Sequence, residues 1–316
     1  MTIPVWFQDW YNNGSGGVAA AAQTYIDRVE ADGGAVESIG CVPSAVWDWT
    51  APSFIGLLDL FPNAATAYSL RKLRAAYSGN AIRVRKEVSA VSSETDIGFL
   101  ADGSLDTVSL LAFASDADSG DVFVVTWYDQ SLSNDATQGT GANQPKIVSS
   151  GAVITEGTSA KPAIDFDGVN DLMNVSILLP DELSTFEVMK PDIAIYLGDA
   201  SGAGSGSTDY YRNQSSTSFR VRVGGNNIDY TTTSGLTNQR LINVNRDSSD
   251  FVSVSKDGVL ASGGQISSGT MSIKTIGSFT TSCLLVAQEF VIYPSDQSTN
   301  RAAIEANIND FYSIYP

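Results

Sequence analysis

The stretch Phe123-Val-Val-Thr-Trp-Tyr-Asp-Gln-Ser131 decides the fold of this chain. Its first five residues are apolar or β-branched and show no helical spacing, which predicts a buried strand. The polar residues that follow bond readily to nearby backbone in turns, so we expect the strand to end there. The pair Trp127 and Tyr128 beside such a corner is typical of the rim of a β-sandwich.

Two further stretches have the composition of partners for this strand. The segment Ala81-Ile-Arg-Val-Arg85 alternates apolar and basic side chains, as a half-buried strand requires. The segment Lys161-Pro-Ala-Ile-Asp-Phe-Asp-Gly168 ends on an Asp-Gly pair, which is typical of a turn. We expect both segments to lie beside the central strand.

Alternating segments separated by turn residues continue to the end of the chain. They cover residues 146–148, 152–154, 192–197, 219–223, 241–245, 251–255, 271–273 and 284–292. Many short strands joined by regular turns predict an antiparallel β-sandwich. The pair Asp257-Gly258 predicts a tight hairpin within it. The predicted fold class is therefore mainly β.

Helical periodicity is confined to a few places. Residues 1–62 combine a glycine joint with three apolar stripes at helical spacing, which predicts a small helical region ahead of a sandwich module over residues 63–316. Asn63 is placed to cap a further helix that runs through Tyr77. A short helix is also predicted over residues 105–114.

Four aromatic residues stand within the first eleven positions: Trp6, Phe7, Trp10 and Tyr11. A free, solvated terminus rarely carries so many. In one interpretation they pack on their own domain. In the other they anchor the chain in a partner, because buried aromatic side chains dominate interface energetics. Both interpretations stay open at this point.

An ordered set of motifs carries a family resemblance. Its members are Ala67-Tyr-Ser-Leu-Arg-Lys-Leu73, Ala81-Ile-Arg-Val-Arg85, Asp96-Ile-Gly-Phe99, Leu110-Leu-Ala-Phe113, Trp127-Tyr-Asp-Gln-Ser131, Asn134-Asp-Ala136, Gln144-Pro145 and Pro162-Ala-Ile-Asp-Phe-Asp-Gly168. Over roughly residues 64 to 175 the sequence resembles the catalytic-type domain of family 54 α-L-arabinofuranosidases. The resemblance implies a concanavalin A-like (laminin-G-like) sandwich. Modules of this kind also recur in bacteriophage tail and virion proteins, and residues 291–308 resemble the closing strand and helix of those phage modules.

The composition argues against several classes of function. Lys and Arg total 18 against 35 Asp and Glu, and a surface of formal charge −17 repels phosphate backbones, so we expect no nucleic-acid partner. The chain has no histidine, which excludes Ser-His-Asp and Cys-His catalysis and every histidine-ligated metal site. The two cysteines, Cys41 and Cys283, are predicted to be free thiols.

The start of the sequence, Met1-Thr-Ile-Pro-Val-Trp6, has no basic residues and no long apolar core, so we expect no signal peptide. No apolar run approaches the length of a membrane span. We therefore expect synthesis in a host cytoplasm and no insertion into a membrane.

A retaining glycosidase needs two carboxylates about 5 Å apart. The candidates in this sequence are Glu87, Glu94, Asp129, Asp165, Asp167, Glu187 and Glu289. The resemblance assigns a catalytic role to none of them, and the disulfides of the fungal enzymes are missing. We predict no catalytic residue, and a glycoside hydrolase of α-L-arabinofuranosidase type is the alternative function.

Hard oxygen ligands stand close together at Asp165, Asp167, Asn170 and Asp171. A calcium ion there is the alternative to an Asp-Gly turn between two strands. The turn is favoured, because the spacing differs from that of an EF-hand loop. We expect neither a metal ion nor another cofactor.

Sugar-binding sites combine an aromatic platform with planar amides and carboxylates on loops at a sandwich rim. The candidates for glycan contact are Asp129, Gln130, Asn134 and Asp135 after the central strand, and Tyr210, Tyr211 and Arg212 beside a glycine-rich loop. The simpler interpretation of the first group is that it caps the strand end. For the tyrosine segment, the rival interpretation is ordinary packing within a sheet.

These observations favour a bacteriophage virion protein, in a tail, baseplate, fibre or capsid decoration. We expect a homo-oligomer that attaches to other virion proteins through residues 1–62. Its sandwich is expected to bind a host-surface polysaccharide weakly and multivalently.

Overall fold

The structure is a computed structural model of the chain. It describes residues 54–131, 134–192, 195–199, 209–231, 235–261, 263–266, 268–277 and 283–316. The chain divides into two units, Met1–Pro52 and Ser53–Pro316. The predicted anchor residues Trp6, Phe7, Trp10 and Tyr11 lie outside the described residues, as do Cys41 and the predicted helices that precede residue 54.

The described residues are built mainly from antiparallel strands. The strands are β1 (Thr66–Ser69), β2 (Ile82–Val88), β3 (Val91–Ile97), β4 (Val122–Trp127), β5 (Ala136–Thr137), β6 (Lys146–Ser149), β7 (Ala152–Val153), β8 (Thr155–Glu156), β9 (Lys161–Pro162), β10 (Ile164–Asp167), β11 (Leu172–Leu179), β12 (Leu183–Pro191), β13 (Ile195–Gly198), β14 (Tyr210–Ser215), β15 (Ser218–Val223), β16 (Asn226–Thr231), β17 (Arg240–Arg246), β18 (Phe251–Lys256), β19 (Val259–Leu260), β20 (Gly264–Gln265), β21 (Met271–Gly277) and β22 (Leu284–Tyr293). The α-helices are α1 (Leu57–Leu60), α2 (Thr107–Ala114) and α3 (Arg301–Tyr312). No helix in this part of the chain has the length and hydrophobicity that a membrane span needs.

Strands β8 and β9 pair with each other, and the other strands form one hydrogen-bonded network that folds into two layers. One layer runs β18–β17–β12–β22, and the far side of β22 pairs with β1 and with β10, end to end. The other layer runs β3–β2–β4–β5–β11–β21–β13–β14–β15–β16. Strand β6 pairs with both β4 and β10 and so joins the layers. The predicted antiparallel β-sandwich is confirmed.

The stretch that decides the fold is strand β4, as predicted. Strand β2 lies beside it with Ile82 opposite Trp127, which confirms the first predicted partner. The second prediction is wrong, because β10 pairs with β6 and β22 rather than with β4. Strand β6 takes the position next to β4, where Val148 lies opposite Val122.

The core between the layers is organised around Trp127, which is fully buried. Its ring centroid lies 5.8 Å from that of Tyr68 on β1 and 5.9 Å from that of Phe290 on β22. Each large aromatic side chain removes about 150–250 Å² from water when buried. These three rings therefore hold β1, β4 and β22 together across the sandwich.

A second apolar core covers the outer face of β12, β17 and β22. Helix α3 contributes Ile304 and Ile308 to it, and Leu57 and Leu58 of α1 pack into the same core. Residues 54–62 therefore belong to the sandwich. The division of the chain falls between Pro52 and Ser53, ten residues before the predicted boundary at residues 62 and 63.

The segment after Asn63 is predicted as a helix and is instead strand β1. Its side chains alternate between the two cores, with Ala67 in the outer core and Tyr68 in the inner one. Pairing with β22 outweighs the local helical spacing. By contrast, α2 forms where predicted, and the Asp106 carboxylate caps it by accepting a hydrogen bond from the Ser109 N–H at 2.9 Å.

Candidate functional site

The loop after β4 carries four of the residues predicted to contact a glycan, and it is a hydrogen-bonded structural corner. Asp129 is 5% exposed, and its Oδ1 accepts the backbone N–H groups of Ala67 at 2.7 Å and Ser131 at 2.8 Å. Its Oδ2 accepts the Asn134 N–H at 3.2 Å. The carboxylate therefore fastens the end of β4 to β1.

Gln130 is engaged in the same way. Its Oε1 accepts the backbone N–H of Leu73 at 2.7 Å. Its Nε2 donates to the backbone carbonyls of Arg71 at 2.8 Å and Ser69 at 3.2 Å. The amide thus satisfies buried backbone groups of the segment that follows β1.

Asn134 and Asp135 complete this corner. Asn134 Nδ2 donates to the Ser176 carbonyl at 2.9 Å, and Asp135 Oδ1 accepts the Asp129 N–H at 2.9 Å. Asp129 and Asp135 thus bond the backbone at the end of β4, whereas the side chains of Gln130 and Asn134 bond neighbouring segments. A contact between these residues and a glycan stays a prediction.

The second segment predicted to contact a glycan is strand β14, which pairs with β13 and β15. Tyr211 is fully buried, and its ring centroid lies 6.0 Å from that of Phe219. The ring of Tyr211 therefore belongs to the core and offers no platform at the surface. The side chains of Tyr210 and Arg212 lie outside what the structure describes, and their contact with a glycan stays a prediction.

The acidic stretch considered as a calcium site is the turn between β10 and β11. Asp167 Oδ1 accepts the Val169 N–H at 2.7 Å, and Asp171 Oδ2 accepts the Asp167 N–H at 2.9 Å. Gly168 has a φ of 75°, which glycine adopts without strain. These carboxylates bond to the backbone of the turn, and no cluster of three or more possible metal ligands occurs in the described residues.

The remaining glycosidase candidates have other surroundings. Glu87 and Glu94 lie on the β2–β3 hairpin and are exposed. Glu289 is buried beneath α3 and pairs with Arg71. Asp165 lies on β10, where burial and the charge of Asp167 raise its pKa. Burial likewise raises the pKa of Asp171 to about 6.

An open cleft of about 420 Å³ lies beside the end of α3, a volume typical of small-molecule sites. The loop before α2 forms one wall, the segment from β7 to β9 forms another, and α3 closes the end. The apolar part of the lining includes Leu70, Leu105, Val153 and Pro162. Leu111 of α2 and Leu100 also line the cleft and are exposed at its edge.

The polar part of the cleft consists of hydroxyls and one ammonium group. Hydroxyls come from Ser104, Thr107, Thr155 and Ser159, and the ammonium group belongs to Lys161. The hydroxyl of Tyr312, which also lines the cleft, is buried and donates to the Gln288 carbonyl at 3.3 Å. Ser104 Oγ donates to Asp102 and Ser159 Oγ to the Tyr312 carbonyl, each at 2.6 Å, so these two hydroxyls face a ligand as acceptors. Lys161 Nζ lies 4.2 Å from the ring centroid of Phe311, a distance at which cation and ring attract. The cleft therefore places hydrogen-bonding groups above an apolar floor.

A buried ion pair beneath α3 fixes one wall of this cleft. Arg71 Nε and Nη2 donate to the two carboxylate oxygens of Glu289 at 2.8 and 3.0 Å. The guanidinium carbon lies 5.2 Å from the ring centroid of Phe311 and 5.8 Å from that of Tyr312. Since the pair is buried and each oxygen is bonded, it orients both rings before any ligand arrives.

A second polar region lies between the layers, around Glu187. This residue is fully buried, and its carboxyl accepts the Tyr196 hydroxyl at 2.7 Å and the Thr185 hydroxyl at 3.0 Å. Burial raises the pKa of Glu187 to about 7, although both hydroxyls and the nearby Arg240 act in the opposite direction. The carboxyl is therefore partly protonated near neutral pH.

No protein-family model and no curated protein matches this sequence. Among solved structures, a mutant family 54 α-L-arabinofuranosidase soaked with 4-nitrophenyl α-L-arabinofuranoside matches with a TM-score of 0.60 and 15% identity over 80% of this chain. This chain shares the fold of that enzyme. It spans 64% of the enzyme's length, and at this identity the likeness shows the fold alone.

Two further solved structures match at lower scores. A Trypanosoma rangeli sialidase has a TM-score of 0.39 and 14% identity, over 59% of this chain and 31% of its own. The botulinum neurotoxin serotype D ligand binding domain in complex with N-acetylneuraminic acid has a TM-score of 0.39 and 12% identity, over 59% of this chain and 48% of its own. At these scores they add nothing to the fold assignment.

The cleft was not predicted from the sequence. Its walls come from four separate parts of the chain, around residues 70, 100–111, 153–162 and 311–312. The available signal was the pair Phe311 and Tyr312, which follows the predicted closing strand and helix of residues 291–308 and ends α3 in the structure. Nothing in the spacing of the residues shows that Lys161 lies over that pair.

Proposed function

We propose that the sandwich is a non-catalytic glycan-binding module and that the cleft beside α3 is its binding surface. The lining of the cleft carries this proposal: an apolar floor, the hydroxyls of four Ser and Thr residues, the two aromatic residues Phe311 and Tyr312, and one ammonium group, with no carboxylate among its described residues. Sugars offer hydroxyls to polar side chains and C–H faces to apolar ones. Hydrolysis by the two-carboxylate mechanism needs a pair about 5 Å apart, which this lining does not provide.

Binding through the cleft predicts a specific effect of Lys161→Met. The variant is expected to bind a host-surface polysaccharide about 10- to 150-fold more weakly, because a hydrogen bond from a charged group contributes about 1.5–3 kcal/mol. A glycan array with the full chain selects the ligand, and calorimetric titration then measures the two affinities.

Lys274→Met is the matched control for this experiment. Lys274 is exposed on β21 and is not part of the cleft lining, so the charge change is the same and the location differs. Equal affinities for Lys161→Met and the wild type would show that Lys161 does not contact the glycan. Equal losses of affinity in Lys161→Met and Lys274→Met would show the same.

A glycoside hydrolase is the second candidate, and the fold shared with an arabinofuranosidase is the observation that favours it. On our proposal, aryl arabinofuranosides and other aryl glycosides release no sugar. Turnover that disappeared in Asp171→Asn, the carboxyl whose pKa is raised to about 6, would favour the hydrolase instead.

We also propose a virion setting, with attachment through the residues before the sandwich. Support for it comes from the motif resemblance to phage modules and from the four aromatic residues near the N-terminus. The sandwich would then present its cleft in many copies, and weak single-site binding would add up over the particle.

Two truncations separate attachment from folding. A chain that starts at Ser53 is expected to keep the melting temperature of the sandwich and to lose oligomerisation or incorporation into particles. A chain that starts at Asn63 also lacks Leu57 and Leu58, which are 0% and 2% exposed. Loss of each buried leucine costs about 2–5 kcal/mol, so this shorter chain is expected to be strongly destabilised. Light scattering and thermal unfolding measure both effects, and normal assembly of the Ser53 chain would contradict the attachment role.

A further inference from the structure

Arg240 is a fully buried charge that the fold leaves without hydrogen bonds. It is the first residue of strand β17, is 0% exposed, and lies opposite Met189 of the inner core. None of its guanidinium nitrogens, Nε, Nη1 or Nη2, has an acceptor among the described residues. A guanidinium carries five N–H donors and stays protonated in proteins.

The other buried arginines in the described part of the chain do donate hydrogen bonds. Arg71, Arg85 and Arg246 each donate to a carboxylate, amide or carbonyl oxygen, at 2.8, 2.6 and 2.6 Å respectively. The fold therefore supplies an oxygen acceptor at each of these three places where it buries a guanidinium. Arg240 departs from this pattern.

The neighbouring carboxyl groups do not accept hydrogen bonds from Arg240. Glu187 is near enough to attract Arg240 but does not bond to it, and its oxygens already accept two hydroxyls. Its raised pKa of about 7 leaves it mostly uncharged in mild acid. Asp257 is the other carboxylate that interacts electrostatically with Arg240. It accepts the Leu241 N–H at 3.0 Å and pairs with Lys256.

Burial of Arg240 has an electrostatic cost as well as a cost in unmade hydrogen bonds. An ion taken out of water without a partner costs several kcal/mol. A water molecule can accept hydrogen bonds from the guanidinium, but it brings no opposite charge. An oxyanion does both, and the planar fork of arginine matches the two oxygens of a carboxylate or phosphate group.

We propose that Arg240 is the binding site for a small oxyanion held between the layers of the sandwich. The ligand is a carboxylate or phosphate group that accepts the unused N–H donors of the guanidinium. The site shares no residue with the cleft lining, so it does not depend on the proposed glycan binding.

The test uses the full chain at about pH 6, where Glu187 is mostly protonated, in a cationic buffer with phosphate replacing chloride at constant ionic strength. The wild type is expected to melt at steadily higher temperature as phosphate rises, because an anion that binds only the folded state stabilises it by mass action. Calorimetric titration is expected to give one phosphate per chain. A parallel series with acetate distinguishes carboxylate from phosphate ligands.

Arg240→Met is expected to lose the phosphate-dependent rise in melting temperature. Arg220→Met is the matched control and is expected to keep it, because Arg220 pairs with Asp229 on the β15–β16 hairpin at 2.6 Å. A wild type that neither phosphate nor acetate stabilises would overturn the proposal, and so would an undiminished rise in Arg240→Met. If Arg240→Met does not fold, the wild-type titration alone tests whether phosphate or acetate binds.

Discussion

Arg71→Met is expected to lower the free energy of unfolding by about 3–5 kcal/mol. Glu289 is fully buried and accepts hydrogen bonds from Arg71 Nε and Nη2. The variant leaves this carboxylate without its counter-charge in the outer core. It also removes the guanidinium that packs against Phe311 and Tyr312, so α3 loses contacts. Urea unfolding of the full chain measures the loss.

Two controls make this prediction specific. Arg83→Met removes a similar bidentate partner from Asp96, at 2.9 Å, but that arginine side chain is 43% exposed and water screens the pair, so the loss is expected to be far smaller. The double variant Arg71→Met, Glu289→Met removes both buried charges and is expected to recover most of the stability. Equal losses for Arg71→Met and Arg83→Met would contradict the role given to the buried pair.

Glu187→Gln is expected to become more stable relative to the wild type as the pH rises. The pKa of Glu187 is about 7 in the folded chain and 4.5 when unperturbed, so the folded state binds the proton more tightly. The stability from this group is fully present below pH 4.5 and is lost as the pH rises through 7. The full change is about 3 kcal/mol, because each pKa unit corresponds to about 1.36 kcal/mol.

The measurement compares the two proteins across this pH range. Unfolding free energies are determined at about pH 5 and pH 8 in a buffer without phosphate or carboxylate ions, and the difference between variant and wild type is taken at each. Glu94→Gln serves as the control, since Glu94 is exposed on the β2–β3 hairpin. If the difference for Glu187→Gln were the same at both pH values, the buried carboxyl would not carry a raised pKa.

The central strand could be predicted from local sequence alone. The residues from Phe123 to Trp127 are apolar or β-branched, and the polar run after them stops the strand, so both the strand and its end are encoded locally. Helix α2 has the same property, because Asp106 stands at its cap position. Elements of this kind need no information from distant parts of the chain.

Strand β1 shows where local reasoning fails. Its helical spacing is real, but Ser69 lies opposite Glu289 in the pairing with β22, a partner 220 residues away. The hydrogen bonds and the two-sided burial supplied by that partner decide the conformation. A propensity calculated over a short window contains neither.

The predicted glycan loop shows the same limit at the level of function. A carboxylate and an amide suit a sugar site and a structural corner equally well. The distinguishing fact is that Asp129 accepts the N–H of Ala67, 62 residues earlier, and that Gln130 serves the backbone of Leu73. The pair Phe311 and Tyr312 was likewise insufficient to reveal the cleft beside α3, because its lining is assembled only when the final helix packs on the sandwich.

The central claim is that the cleft beside α3 binds the glycan, and methyl NMR of the full chain tests it most directly. Leucine and valine methyl groups are labelled, and a polysaccharide fragment selected on the array is added. We expect the largest shifts at Leu100, Leu111 and Val153, which line the cleft. Leu178, which is 70% exposed and not part of the lining, is expected to stay unchanged. The claim would be contradicted if the cleft methyl groups did not shift and the largest shifts lay at Val221 instead. Val221 lies opposite Tyr211 in the β14–β15 pair.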